Sequence, residues 1–180
     1  MSQFDRASYS LILQLLLMIW LGFFASLIYP PLATLGLYPR EDWGLLGVFT
    51  APFIHGGWGH IIANSSGMLI FGAIFCWLVK GATKKILLYL IVVQGLLTWI
   101  FARSGNHIGA SGLVFALFGY LVFIGFFERK FKYLMVSLLV MFLWGGTIVG
   151  VLPSAPGISW EAHLFGFAAG FFAAKRGLSS

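Results

Sequence analysis

Apolar runs about as long as a bilayer is thick recur along this chain, separated only by short polar connections, and that pattern leaves few folds open. Stretches without a formal charge cover residues 7–39, 61–79, 86–102, 108–127, 133–160 and 162–174. Most reach the ~17 to 25 residues that cross a hydrocarbon core of about 30 Å. With 60% hydrophobic and 9% charged residues in a 180-residue chain, the composition is that of an integral membrane protein. We read an all-α membrane protein, a single domain over residues 1–180. Its six transmembrane helices lie near 11–28, 61–79, 86–101, 111–127, 133–152 and 160–174, with an outer loop at 29–59. The sixth helix is short for a span.

The first apolar run follows Arg6 but exceeds the ~7 to 15 residues of a signal h-region, so it is read as a retained helix. Cys76 stands alone in the sequence and is read as a small core residue without a redox role.

Lys and Arg set the orientation, because cytoplasmic loops are enriched in them. With the N-terminus inside, Arg6, Lys80, Lys84, Lys85, Arg129, Lys130, Lys132, Lys175 and Arg176 fall on the cytoplasmic side, and only Arg40 and Arg103 fall outside. That split closes for six helices with both termini inside. The net charge of +6 therefore reports topology, and no soluble face gathers it into a nucleic-acid footprint. Tyr29, Trp43, Trp58 and Trp160 sit near the outer boundary as aromatic anchors, with Tyr9, Trp77 and Tyr133 near the inner one. The outer loop is long for a compact domain and is expected to be functional or partly embedded.

On this frame His60 and Asn64 open the second helix, Ser111 the fourth and His163 the sixth. All three helices run from outside to inside. At about 1.5 Å per residue, Ser111 lies roughly 25 Å above Glu128 and Asn64 roughly 24 Å above Lys80. His163 lies roughly 18 Å above Lys175, a difference that tilt and lysine snorkelling absorb. Polar groups at such depth need partners or a water-filled cavity.

A serine hydroxyl needs a base within hydrogen-bond reach to act as a nucleophile, and His163 is the histidine best placed to face Ser111. Among the acids, Asp5 and Glu128 are cytoplasmic, Glu41 and Asp42 lie in the outer loop, and Glu161 stands two positions before His163 on another helix face. This reads as a Ser-His dyad without a carboxylate. His60 and Asn64, at i and i+4 on one helix face, can donate to an oxyanion beside the backbone NH of Ser111. His55, five residues before His60, and His107 are read as loop or interface histidines. Ala162, Gly166 and Gly170 repeat at i, i+4, i+8 on the sixth helix, and Gly112, Ala116 and Gly119 form a similar stripe on the fourth. Small-residue stripes let membrane helices pack closely.

The run from His55 to Asn64, the Gly109-Ala110-Ser111-Gly112 segment, and Ala162-His163 with Gly166 and Gly170 together resemble the rhomboid intramembrane serine proteases, over most of the chain from about Trp43 to Ala174. The resemblance implies that Ser111 is the nucleophile and His163 the base, that His60 and Asn64, with Gly109, serve the oxyanion side, and that Phe115 packs against the base. It also implies a water-accessible cavity open to the outside and lateral access for substrate helices near the fifth helix and the following segment 152–159. Its substrates would carry small residues at the cleavage site and helix-weakening residues nearby. One departure stands out: many relatives carry a Trp-Arg pair in the first outer loop, and this chain has Trp43-Gly44, with Arg40 as a candidate substitute.

The expected activity is thus that of an intramembrane serine endopeptidase cutting transmembrane segments of other proteins. No cofactor or metal is implied, its partners are transmembrane substrates and the lipid bilayer, and the expected site is a bacterial inner membrane with the active site towards the outer side. Three rivals were weighed. An inactive scaffold for membrane helices would normally lack Ser111 or His163. A small transporter would line both membrane halves with polar groups. A metal enzyme built on His55, His60, His107 and His163 has no His-Glu-x-x-His motif behind it.

Overall fold

The computed structural model describes residues 3–153 and 157–177. Asp5's side chain and residues 154–156 of the expected substrate-side segment lie outside the described residues. Among the described residues seven α-helices follow in order: α1 (Gln3–Ile28), α2 (Gly47–Thr50), α3 (Trp58–Val79), α4 (Thr83–Phe101), α5 (Ser111–Glu128), α6 (Phe131–Trp144) and α7 (Trp160–Lys175). Among the described residues there is no strand. One isolated antiparallel bridge joins Leu37 to His107.

Among the described residues, four stretches are long and apolar enough to cross a membrane: Arg6–Ile28, Trp58–Phe101, Ser111–Glu128 and Phe131–Val151. The second holds both α3 and α4, and the chain reverses between them through a single 3-10 turn, Lys80–Ala82. The reversal is pinned by polar side chains, since the Ser8 and Thr83 hydroxyls both donate to the Lys80 carbonyl. At the other end of α1, the rings of Phe23 and Phe24 pack on Trp58. α1 and α3 are therefore antiparallel neighbours.

α5 runs through the centre. It is buried without a break from Gly112 to Leu121, as expected of a helix that is apolar all round. Its main partner is α7, and small residues set the spacing. A Cβ on Gly166 would collide with the Gly112 carbonyl, and one on Gly170 with the backbone of Ala116 and Tyr120. Backbone against backbone at this distance gives dispersion contact that larger side chains would prevent.

α6 is different. It buries only Val136, Ser137 and Val140, and its firmest tie is Ser137, which accepts from the Gly125 N–H and donates to the Leu121 carbonyl on α5.

Two findings differ from the sequence reading. The helix expected over 133–152 stops as an α-helix at Trp144 and tightens into a 3-10 segment, Gly145–Val151. Gly145 and Gly146 weaken the helix there, and β-branched Thr147, Ile148 and Val149 follow at once. The outer loop is mostly short helical turns: 3-10 turns at Pro30–Leu35, Trp43–Leu46 and Ala51–Phe53 surround α2. Pro30, Pro31 and Pro52 each sit at the start of such a turn, where no N–H is required of them.

Candidate active site

The chain enters α5 through Gly109, whose φ of +104° is open to glycine and strained for other residues. The Gly109 N–H donates to the Ala51 carbonyl at 2.9 Å. A Cβ here would collide with His60 Nε2 and lie 3.2 Å from Asn64 Nδ2. The glycine backbone thus closes directly onto the His60 and Asn64 pair of α3. Two residues later Ser111 begins α5, so its N–H belongs to the free donors of a helix's first turn.

His163 lies in the first turn of α7. Its ring stacks on Phe115 of α5, centroids 4.2 Å apart and planes within 6°. Its Nδ1–H donates to the Gly150 carbonyl at 2.9 Å. Because a carbonyl can only accept, the neutral ring carries its proton on Nδ1 and presents a lone pair at Nε2.

His60, Asn64, Ser111, Phe115 and His163 line one cavity of about 960 Å³. Ser111 and His163 share that cavity with no direct hydrogen bond between them among the described residues. A nucleophile and base are often this loose before substrate binds. Beneath the cavity, Leu117, Tyr120, Leu121 and Ile124 are fully buried.

His55, read from sequence as a loop residue, is indeed in the loop but is 5% exposed and bears on the site. Its Nε2 accepts from Asn64 Nδ2 at 3.0 Å and from the Ala110 N–H at 3.4 Å, and its ring packs on His60. Asn64 keeps a second amide hydrogen for the cavity. Burial, aided by the neighbouring His60, pushes the His55 pKa down to about 4, so the ring stays neutral and Nε2 remains an acceptor. The five-residue step to His60 was the available signal. That step leaves the helix face, so helical periodicity alone does not join His55 to His60.

Arg40 ties the outer loop to the end of α4. It donates to the carbonyls of Ile100 and Ala102 and to Ser104 Oγ. The Trp43 ring packs on Tyr38, centroids 4.3 Å apart and planes tilted by 45°. Glu161 is 5% exposed and ion-paired with Arg103 at 3.3 Å. Arg103 also donates to the Ile158 carbonyl. His107 donates to the Arg103 carbonyl and bonds the Ser159 hydroxyl. Residues 103–107 therefore grip residues 158–161, the segment immediately before His163.

Comparison with known proteins bears on the same elements. A family model described as the Rhomboid domain matches residues 42–179. The chain is 35% identical over 150 residues to an uncharacterized protein of Mycobacterium tuberculosis, covering 77% of this chain and 62% of that one. It is 33% identical over 141 residues to an uncharacterized protein of Mycobacterium leprae, covering 72% and 55%. It is also 35% identical over 136 residues to RHOMBOID-like protein 4 of Arabidopsis thaliana, covering 73% of this chain and 33% of the plant protein. The chain thus spans less than two thirds of the length of each of these relatives.

Proposed function

This chain belongs to the rhomboid family, and we propose on that footing that it is an intramembrane serine endopeptidase cutting transmembrane segments of other membrane proteins. The family and the apolar helices make it an integral multi-pass membrane protein. In the proposed topology α1, α3, α4, α5, α6 with its 3-10 extension, and α7 all cross. Both termini are inside, and the cavity faces the outer side of a bacterial cytoplasmic membrane.

In this reading the Ser111 Oγ attacks the scissile carbonyl while His163 Nε2 takes the hydroxyl proton. The carbonyl oxygen becomes anionic and is met by the Ser111 N–H, His60 and the spare amide hydrogen of Asn64. Collapse of the tetrahedral intermediate breaks the C–N bond, and the imidazolium returns its proton to the leaving amine. Water, deprotonated by the same imidazole, then hydrolyses the acyl-serine ester. Each oxyanion donor is worth ~2.7 to 4 kcal/mol in the transition state, or about 10² to 10³ in rate.

Substrate helices would reach the cavity from the side of α6 and the 3-10 segment, where few residues are buried. A helical peptide bond is shielded by its own hydrogen bonds, so helix-weakening residues near the cut favour cleavage. No metal or organic cofactor enters the scheme.

The observation that carries this reading is the convergence of residues from the starts of α3, α5 and α7 on one cavity, with the His163 ring stacked between helices. The missing Ser111 to His163 hydrogen bond is what a non-proteolytic scaffold for membrane helices would use in its favour. Purified protein in detergent, compared with Ser111→Ala and His163→Ala on a generic transmembrane substrate, separates the two. Cleavage by the wild type alone supports the protease. Equal cleavage by all three chains refutes the dyad.

A further inference from the structure

A Ser-His dyad lacks the third group that, in a triad, holds the imidazole in one tautomer. We propose that the backbone carbonyl of Gly150 fills that place, and that the 3-10 segment Gly145–Val151 thereby couples the packing of the substrate-side wall to the competence of the base. The proposal rests on the protease reading of Ser111 and His163.

Three observations converge on it. The first is the bond itself, Nδ1 to the Gly150 oxygen at 2.9 Å, on the ring nitrogen that must carry the proton if Nε2 is to accept one. The second concerns the nearest acid. Glu161 lies two residues from His163, yet its carboxylate is turned to Arg103, and that pair secures the first turn of α7. Arg103 and His107 locate the helix that carries His163, and Gly150 sets the rotation of its ring.

The third is steric. A Cβ on Gly150 would lie 2.6 Å from Phe115 Cζ, and the same Phe115 ring stacks on His163. Only a glycine lets the backbone come close enough to touch the imidazole past that ring.

A carbonyl differs from a carboxylate in a way that suits this depth. It orients the neutral imidazole through one hydrogen bond and adds no second charge to be desolvated. It stabilises the imidazolium less, so chemistry is slower than a carboxylate-backed triad would allow.

The carrier of this carbonyl is also a lightly embedded part of the wall. No residue of Gly145–Val151 is buried, and Val149 is 63% exposed. A segment held by so few contacts opens at low free-energy cost. Its displacement breaks the Nδ1 bond and frees the ring to change tautomer, so the base is ordered only when the segment is seated.

The test begins with the unaltered protein. 15N-histidine NMR at neutral pH, with the resonance assigned by comparison with His163→Asn, reads which ring nitrogen of His163 carries the proton. The proposal requires Nδ1–H; finding the proton on Nε2 overturns it with no variant needed. Gly150→Ala is then compared with Gly146→Ala, a change in the same segment whose Cβ meets nothing within 4 Å.

Gly150→Ala is expected to lower kcat on the order of 100-fold with KM within about 2-fold, and to slow fluorophosphonate labelling of Ser111 in parallel. Gly146→Ala stays near wild type. If Gly150→Ala keeps wild-type kcat and labelling, the carbonyl does not position the base. A wild type that neither cleaves nor labels at Ser111 fails the protease reading itself, and the NMR result still decides the hydrogen bond independently.

Discussion

The pairing of α5 with α7 and the placement of α6 show two ways of building a wall of the same cavity. Between α5 and α7 the backbones touch: Gly166 sits against the Gly112 carbonyl and Gly170 against Ala116, with no room for a Cβ. Along α6 three residues are buried, and a buried polar tie to α5 runs through the side chain of Ser137. The difference separates two demands. Ser111 and His163 sit on the tightly packed pair, where a shift of an ångström would ruin their geometry. The side from which a helical substrate would arrive is left loosely held. On the proposed reading, rigid positioning and lateral opening fall to different helices.

The sharpest way to break the contrast is to overfill the tight pair. Gly166→Leu places a branched side chain where a carbonyl already lies, and is expected to cost about 3 kcal/mol or more, with less than ~1% of wild-type proteolysis remaining. Unfolding in mixed detergent micelles, beside a cleavage assay, measures both.

Acid probes the α3 side of the cavity. The folded protein holds the His55 pKa near 4, below the ordinary value of 6.5, so between those values the unfolded chain binds a proton that the folded one refuses. Stability is therefore full above pH 6.5 and declines as pH falls towards 4, by roughly 3 kcal/mol from this group. Unfolding midpoints across this pH range should slope less steeply in His55→Gln than in the wild type.

On the loose side the effects shrink. Ser137→Ala removes a buried polar link between α6 and α5 and should cost about 1 kcal/mol. Faster amide exchange confined to α6 would report it. Phe142→Ala, at a residue 84% exposed, is expected to change stability by less than about 0.5 kcal/mol in the same assay. A large effect there would mean that α6 is packed against something on its open face.

What was legible in the sequence follows from which interactions depend on side-chain identity. Apolar length marked the helices. The polar residues His60, Asn64, Ser111 and His163 stood out because each opens an otherwise apolar helix, and the structure has all four lining one cavity. The stripe of Ala162, Gly166 and Gly170 foreshadowed the closest helix contact.

Other features carry no such mark. Gly150 bonds His163 through a backbone carbonyl, and the closeness to Phe115 that calls for a glycine there exists only in the fold. The Arg103 to Glu161 pair joins residues 58 apart in sequence, which only the tertiary fold brings together. His55 acts from a loop, outside the helical periodicity that singled out His60 and Asn64. The 3-10 turns of the outer segment were read as irregular because their prolines and glycines punctuate the local pattern. Tertiary ties such as Arg40 to the end of α4 are equally invisible in it.

Covalent labelling tests the central claim most directly. Wild-type protein, Ser111→Ala and His163→Ala in detergent are treated with a fluorophosphonate, and the adduct is located by peptide mass spectrometry. The account predicts a single adduct on Ser111 in the wild type, none on Ser111→Ala, and labelling slowed on the order of 100-fold or more in His163→Ala. Labelling of Ser111 at an equal rate with and without the His163 imidazole would contradict it.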